Sequence, residues 1–324
     1  MNFRVLAAAI VLLAATLPAA GADVYPTKPI SVVVAFPAGG PTDFIARTVA
    51  QSMQKTLGQS LNIENVSGAG GTVGVGRVAR ANPDGYSLLV HHIGMATAPT
   101  LYRNLQFDPL EDFIPLGAIA DVPMTLVARA DFPAQTFGEM LAYVKANGDK
   151  VTYANAGIGS ASHLCGLVFM QAIQTQMTIV PYKGTQPAMS DLLGGRVDLL
   201  CDQTTQTTAQ INANRIKAYA VTTRTRVGTL PNLPTLNELG LRDFHVAIWH
   251  ILFTPKNTPK EVVDKLVKAL QAALSDPVVK QRFAELGTEP VAMDRATPEF
   301  ARTMLKSEID RWAPVIRRAG QYAD

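Results

Sequence analysis

Two short stretches combine the residue types that can hold a small anion without a charged side chain. The first is Phe36-Pro37-Ala38-Gly39-Gly40-Pro41-Thr42-Asp43; the second is Asn155-Ala156-Gly157-Ile158-Gly159-Ser160-Ala161-Ser162-His163. In each, glycines let the backbone turn tightly after an apolar run, and a helical pattern follows. The first turn of a helix offers N–H groups without intrahelical partners and a partial positive charge, which suits a carboxylate. Asp43 could cap its helix, orient the loop or meet an amino group of a ligand. Taken alone, the first stretch reads equally well as a plain strand-to-helix turn. Ser160 and His163 are three apart, so they share a helical face and can both donate hydrogen bonds. A hydrolase would use them as nucleophile and base, but no G-x-S-x-G elbow and no acidic orienting group accompanies them.

Three further segments carry weaker signals. Gly68-Ala69-Gly70-Gly71-Thr72-Val73-Gly74 is a turn rich in N–H donors. Gly74-Val75-Gly76-Arg77-Val78-Ala79 matches G-x-G-x-x-A in letters but falls within an expected helix, which argues against a dinucleotide site. His91 and His92 end an expected strand, where open parallel sheets bind ligands. Adjacent strand residues face opposite ways, so the two make a poor metal pair. No Cys/His/Asp/Glu set has metal-ligand spacing, so neither metal nor cofactor is expected. Asp202 ends another expected strand, at a cleft edge or in solvent.

Alternating strand and helix patterns must position these residues. Ile30–Phe36 is a continuous apolar, β-branched run typical of a buried parallel strand. Ile45, Val49, Met53 and Leu57 recur every fourth residue and give the next helix its apolar face until Gly58 stops it. Strands follow at Leu61–Val66 and Ser87–His92. A second series has strands near 124–129, 151–156, 177–182, 197–202 and 216–222, with helices starting near Phe137, Ser160, Gln186 and Thr205. Thr136 and Glu139 form a capping box, and Thr258-Pro259-Lys260-Glu261 has the form of a helix start capped by Thr258. Thr297-Pro298 starts another helix, with Phe300, Ile309 and Trp312 packing inward. These terminal helices should cover the first sheet. The pattern implies an α/β architecture of two domains, with chain crossovers near Asp121–Met124 and Phe244–Trp249 that suit hinge closure.

The N-terminus has the layout of an export signal: Arg4, an apolar stretch from Val5 to about Leu17, Pro18, then Ala20-Gly21-Ala22. The stretch is shorter than the roughly 20 residues of a membrane span. Cleavage is expected after Ala22, releasing a chain that starts at Asp23 into the periplasm with no membrane anchor. Arg4 is the only charged residue among 1–22, so 29 basic against 26 acidic residues becomes 28 against 26. That balance argues against nucleic acid as a partner. Cys165 and Cys201 could pair in an oxidising compartment or stay as two buried thiols; the sequence leaves both open.

Motifs spread over the chain carry a family likeness. They are Tyr25-Pro26 with Lys28-Pro29-Ile30, FPAGGPTD with Ala46-Arg47 (36–47), GAGGTVG (68–74), Asn82-Pro83-Asp84-Gly85-Tyr86, and Phe107-Asp108-Pro109 with Asp112-Phe113 and Pro115. GSASHL (159–164), VPYKGTQPAMSDLLGGRVDLLCD (180–202), Leu230-Pro231 with Leu233-Pro234-Thr235, and Trp249 with Pro255 and Thr258-Pro259 continue it. Together they resemble the substrate-binding receptors of tripartite tricarboxylate transporters, the Bug receptor family. The resemblance implies a two-domain Venus-flytrap periplasmic binding protein of the type II class with a double crossover hinge. One domain would be residues 23–123 with 247–324, the other 124–246. It implies a receptor, not an enzyme, that holds a ligand carboxylate through backbone N–H groups, often with bridging water; a monomer is expected, although the sequence leaves oligomeric state open. Carried over by motif, binding falls at Ala38, Gly39, Gly40 and Asp43, and at Gly159, Ser160 and His163. The loop after Tyr182 joins with Thr185, Pro187 and Ala188, and Asp202 lies near the pocket. Ligands of such receptors include di- and tricarboxylates, acidic amino acids, aromatic carboxylates and nicotinate-like compounds, and the partners are two membrane subunits of the transporter.

Three departures border the expected cleft and hinge. His91-His92 replaces small polar or apolar residues, His250 stands after Trp249 where glycine is common, and Cys201 replaces a larger apolar residue. His92 or His250 is therefore expected to add a hydrogen bond to the distal end of the solute. Two other readings remain: a sensor that docks on a membrane kinase, and a secreted hydrolase using Ser160 and His163.

Overall fold

Largely buried strands organise the molecule, Ile30–Val34 and Thr152–Asn155 ending in glycine-rich turns, and helices cover them. The structure, a computed structural model, describes residues 25–320, 322 and 323; the expected export segment and the start at Asp23 lie outside them. The first lobe begins with β1 (Ile30–Val34), α1 (Pro41–Leu57), β2 (Leu61–Asn65), α2 (Thr72–Ala79), β3 (Ser87–His92) and α3 (Gly94–Leu101). The long β4 (Phe113–Arg129) leads to α4 (Phe137–Asn147), β5 (Thr152–Asn155), α5 (Ala161–Ile173), β6 (Thr178–Pro181) and α6 (Thr185–Leu193). Then come β7 (Leu199–Gln203), α7 (Thr204–Asn212), β8 (Ile216–Val221) and β9 (Ala247–Pro255), with α8 (Lys260–Ser275), α9 (Pro277–Glu285) and α10 (Pro298–Ala319) at the end.

A mixed sheet runs through both lobes, and β4 joins its halves. In the first lobe the order is β2-β1-β3-β9-β4, with β1 parallel to both neighbours and β9 antiparallel to β3 and β4. In the second it is β6-β5-β7-β4-β8, with β5 parallel to β6 and β7. Residues 113–123 of β4 pair with β9, whereas Met124 onward pairs with β7 and β8. Thr222 ties the two crossing segments together: its hydroxyl accepts from Met124 N–H (3.2 Å) and donates to Val246 C=O (2.5 Å). The sequence marked only the second half of β4 and none of β9. The first half carries Pro115, Gly117 and Pro123, and its register against β9 shifts twice, so it lacks the regular signature of a strand.

The helices start close to where their caps place them. The Thr136–Glu139 capping box is present, and Thr297 caps α10 through Phe300 N–H. α8 starts one residue later than its motif suggested, with Pro259 at the cap. The Thr258 hydroxyl instead donates to Pro255 C=O at 2.8 Å, closing the turn before the helix. α8 packs on α1, and α10 on α3 and β4, so the terminal helices cover the first lobe. Trp312 is buried, and its indole N–H shares Glu308 Oε2 with that of Trp249, while Phe300 and Ile309 are half-buried. The letters of the G-x-G-x-x-A match lie inside α2, away from any strand-to-helix turn.

Cys165 and Cys201 form a disulfide between α5 and β7, with 6.2 Å between their Cα atoms. It closes a loop 36 residues apart in sequence, for which chain entropy gives a stabilisation of up to about 4 kcal/mol. Reduction, or the double change Cys165→Ala with Cys201→Ala, should lower unfolding free energy in urea by roughly 2–4 kcal/mol. Equal denaturation midpoints with and without dithiothreitol would show that the bridge contributes nothing.

Candidate functional site

The turns after β1 and β5 face each other where the lobes meet. Between them is a small cavity of about 20 Å³. Its first-lobe wall is Phe36, Pro37, Gly40, Pro41, Thr42 and His92; its second-lobe wall is Ala156, Ser160, Ala161, Ser162, Thr185, Asp202 and Gln203. That volume holds about one water, so an organic acid can enter only when the lobes part. The wall contains no lysine or arginine. An anion there must be met by the first turns of α1 and α5, whose leading N–H groups lack intrahelical acceptors.

The first-lobe loop is braced from below. Asp43 accepts from Gly39 N–H (2.9 Å), Arg47 Nε (2.8 Å) and Asn65 Nδ2 (2.9 Å), and Asn65 Nδ2 also lies 2.9 Å from Phe36 C=O. Burial works to raise the Asp43 pKa, but these hydrogen bonds and the Arg47 charge hold it below the ordinary value. Asp43 is thus buried and spent on loop geometry. Ala38 and Gly39 are exposed beside the cavity, and Gly40 lines it as the cap of α1.

The second-lobe loop is fixed the same way. Ser160 Oγ caps α5 by accepting from His163 N–H (3.2 Å), and Ser162 Oγ accepts from Ala156 N–H (2.7 Å). His163 Nδ1 accepts from Gly159 N–H (3.3 Å), so the serine and histidine of the hydrolase reading both serve the turn. Thr185 lines the cavity and donates to Gln206 Oε1 (2.8 Å). Pro187 is half-buried off the cavity wall, and Ala188 points into the core of the second lobe with Val127 and Leu200.

Contacts across the cleft hold the lobes together. Thr97 Oγ1 donates to Gly159 C=O and the Tyr102 hydroxyl to Ile158 C=O, each at 2.8 Å. Two glycines permit this approach. A Cβ on Gly70 (φ +61°) would lie 2.0 Å from Ile158 O, and one on Gly184 (φ +146°) would lie 2.3 Å from Pro37 Cδ.

Behind the first-lobe wall sit three buried imidazoles. His92 stacks on Phe36 (4.7 Å between centroids) and meets His250 edge-on at 5.7 Å. Its Nδ1 accepts from Gly94 N–H (3.1 Å), so the neutral ring carries its proton on Nε2, a donor. His250 reaches the cavity only through Thr42 Oγ1, 3.4 Å from its Nε2. His91 packs against both Phe36 (5.5 Å between centroids) and His92 (4.8 Å). Burial lowers all three pKa values, to about 4 for His91 and about 3 for His250, and the adjoining His91 and His250 further disfavour a charge on His92. Among the described residues no group of three His, Cys, Asp or Glu could hold a metal ion.

Asp202 is fully buried in the opposite wall. Burial raises its pKa to about 7, and the hydrogen bond from Gln203 N–H works against that rise. A wider groove of about 580 Å³ lies elsewhere, along Asp121, Arg226, Gly287 and Arg295. Its cations are already matched, Arg295 by Asp121 and Arg226 by Glu238, which leaves it poorly suited to an anion.

Of the expected site residues, Gly40, His92, Ser160, Thr185 and Asp202 line the cavity, while Asp43, Gly159 and His163 shape its loops. Thr42, Ser162 and Gln203 were not singled out. Thr42 and Ser162 sit inside motifs already recognised, in the first turn of each helix, and could have been found by asking which side chains accompany the free N–H groups.

Comparison with known proteins gives a consistent result. The family model described as "Tripartite tricarboxylate transporter family receptor" matches residues 45–321. A protein of Agrobacterium vitis named for its position in the TAR-I ttuE-ttuC' intergenic region is 51% identical over 323 residues, covering 99% of this chain and 93% of that protein. The structure of the periplasmic binding protein BugD is 52% identical with a TM-score of 0.90, covering 93% of this chain and all of that one. MatC from Rhodopseudomonas palustris with bound malate is 37% identical with a TM-score of 0.87, covering 90% of this chain and all of MatC.

The neutral imidazoles make stability depend on pH. A histidine whose folded pKa lies below its unfolded value of about 6.5 contributes stability above that pH and loses it as pH falls. Asp202, raised in the fold, acts in the opposite sense over the same window. Three imidazoles against one carboxyl leave about two protons more on the unfolded chain, a loss approaching roughly 2.7 kcal/mol per pH unit near pH 5. Melting temperature should therefore fall steadily from pH 6.5 to 4.5. A flat profile would contradict neutral burial of the three rings.

Proposed function

The chain belongs to the tripartite tricarboxylate transporter receptor family, and on that premise we propose that it is an exported receptor that closes around a small organic acid and delivers it to a two-subunit membrane transporter. It is a solute-binding receptor rather than an enzyme, as the family is. The observation that carries the ligand class is the cavity itself: two helix starts facing each other, with no cationic side chain in the wall. Such a site recognises the carboxylate through backbone N–H groups and leaves the rest of the molecule to side chains such as His92 and Asp202. Bound malate in MatC supports a carboxylate of that size.

The working state is a monomer in the periplasm, freed of residues 1–22 by cleavage after Ala22. Among the described residues no helix is long and apolar enough to cross a membrane. Residues 23–123 with 247–324 form one closing domain and 124–246 the other, with the handover between Pro123 and Met124 in β4 and the return before β9 as the hinge. Ala38, Gly39, Gly40, Gly159 and Ser160 supply the loops that hold the carboxylate, on frames set by Asp43 and His163. Thr185, Pro187 and Ala188 shape the second-lobe side.

A thermal-shift screen of the mature protein against mono-, di- and tricarboxylates, amino acids, aromatic acids and neutral analogues tests this reading. An acid at about 100 times its dissociation constant should stabilise the fold by roughly 2.7 kcal/mol. Shifts confined to acids are the expected result. Ligand-stripped protein that responds to neutral solutes and to no acid would overturn the carboxylate assignment.

A further inference from the structure

We propose that the acid bound by this receptor carries a hydroxyl or ammonium hydrogen-bond donor, and that Asp202 Oδ2 is the atom that receives it. The proposal rests on the carboxylate reading of the same cavity and narrows its substrate class.

Asp202 ends β7 in the cavity wall, with none of its surface exposed. Its Oδ1 accepts from Gln203 N–H at 2.8 Å, while Oδ2 is buried without a hydrogen-bond partner. Next to it Gln203 Oε1, also in the cavity wall, is buried and unpartnered. The Thr185 hydroxyl close by directs its proton to Gln206 Oε1, and the Thr125 hydroxyl on the strand behind directs its own to Thr207 Oγ1 (2.8 Å). One side of the cavity therefore offers donors, from the helix starts and His92, and the end of β7 presents two unpartnered oxygens, Asp202 Oδ2 and Gln203 Oε1.

An unsubstituted dicarboxylate is all acceptor and methylene once ionised. Seated here, it would leave Oδ2 and Gln203 Oε1 buried and unpaired, which is costly for any polar group and most of all for a carboxylate. An acid with a hydroxyl or an ammonium group presents carboxylates to the helix starts and a donor to β7. Burial pushes the Asp202 pKa up to about 7, in keeping with a carboxyl whose Oδ2 lacks a donor. The missing donor is what such an acid would bring.

Calorimetric titration of the ligand-stripped protein with matched acids tests the idea: malate, aspartate and succinate, then 2-hydroxyglutarate, glutamate and glutarate. In at least one set a substituted acid should bind on the order of ten- to a hundred-fold more tightly than its unsubstituted partner. Malate ahead of aspartate assigns the donor as a hydroxyl; the reverse assigns an ammonium. Asp202→Asn puts an amide NH₂ where Oδ2 stands, so it should shrink that preference to about two-fold or less while succinate or glutarate binds at least as well as before. Equal affinities within both sets for the unaltered protein would overturn the proposal and leave the acid receptor intact, with a water meeting Oδ2 instead. A preference that survives in Asp202→Asn would also overturn it. Failure of every acid to bind would instead sink the carboxylate reading on which it stands.

Discussion

An anion buried where no cationic side chain can reach it has to be met by backbone N–H groups, and those groups must already point inward when it arrives. This constraint explains the effort spent on two short loops. Asp43 looks like a ligand residue but serves the turn, drawing together Gly39, Arg47 and Asn65. Ser160, Ser162 and His163 do the same in the second lobe through their bonds to Ala156, Gly159 and one another. Side chains with chemical capability are held as scaffold, which is also why this arrangement does not act as a catalytic set.

Holding such a ligand also requires that two rigid loops separate and return. The sheet solves this by sharing one strand: β4 pairs with β9 in the first lobe and with β7 and β8 in the second, with Thr222 joining both crossing segments. Rigid parts lie on either side of that handover. The Cys165–Cys201 bridge fixes α5 to β7, and so fixes the Ser160 turn relative to Asp202. At the mouth, Thr97 and Tyr102 grip carbonyls of the opposite loop, and Gly70 and Gly184 leave room for backbone to meet backbone. The departures from the family pattern at His91, His92 and His250 form one neutral, stacked cluster behind the first-lobe wall, of which only the His92 ring lines the cavity.

What could be read from the sequence followed the range of each interaction. Both loops were legible because strand end, glycine turn and helix start are encoded within about ten residues. The helix caps at Thr136 and Thr297 were legible for the same reason. The first half of β4 was not, since Pro115, Gly117 and Pro123 break its pattern and its pairing comes from a segment more than a hundred residues away. The bracing of Asp43 by Asn65, the link from His250 to Thr42 and the disulfide all depend on the folded geometry. Ala188 lies in a matching motif yet turns to the core, because its position on α6 is set by packing on β7 rather than by the motif.

The most direct measurement is a crystal structure of the mature protein with its acid bound. The account predicts carboxylate oxygens within hydrogen-bond distance of N–H groups in the first turns of α1 and α5, at Thr42 and Asp43 and at Ala161 and Ser162. A carboxylate found instead against Arg226 or Arg295 in the outer groove, or held in the cleft by a side-chain cation, would contradict it.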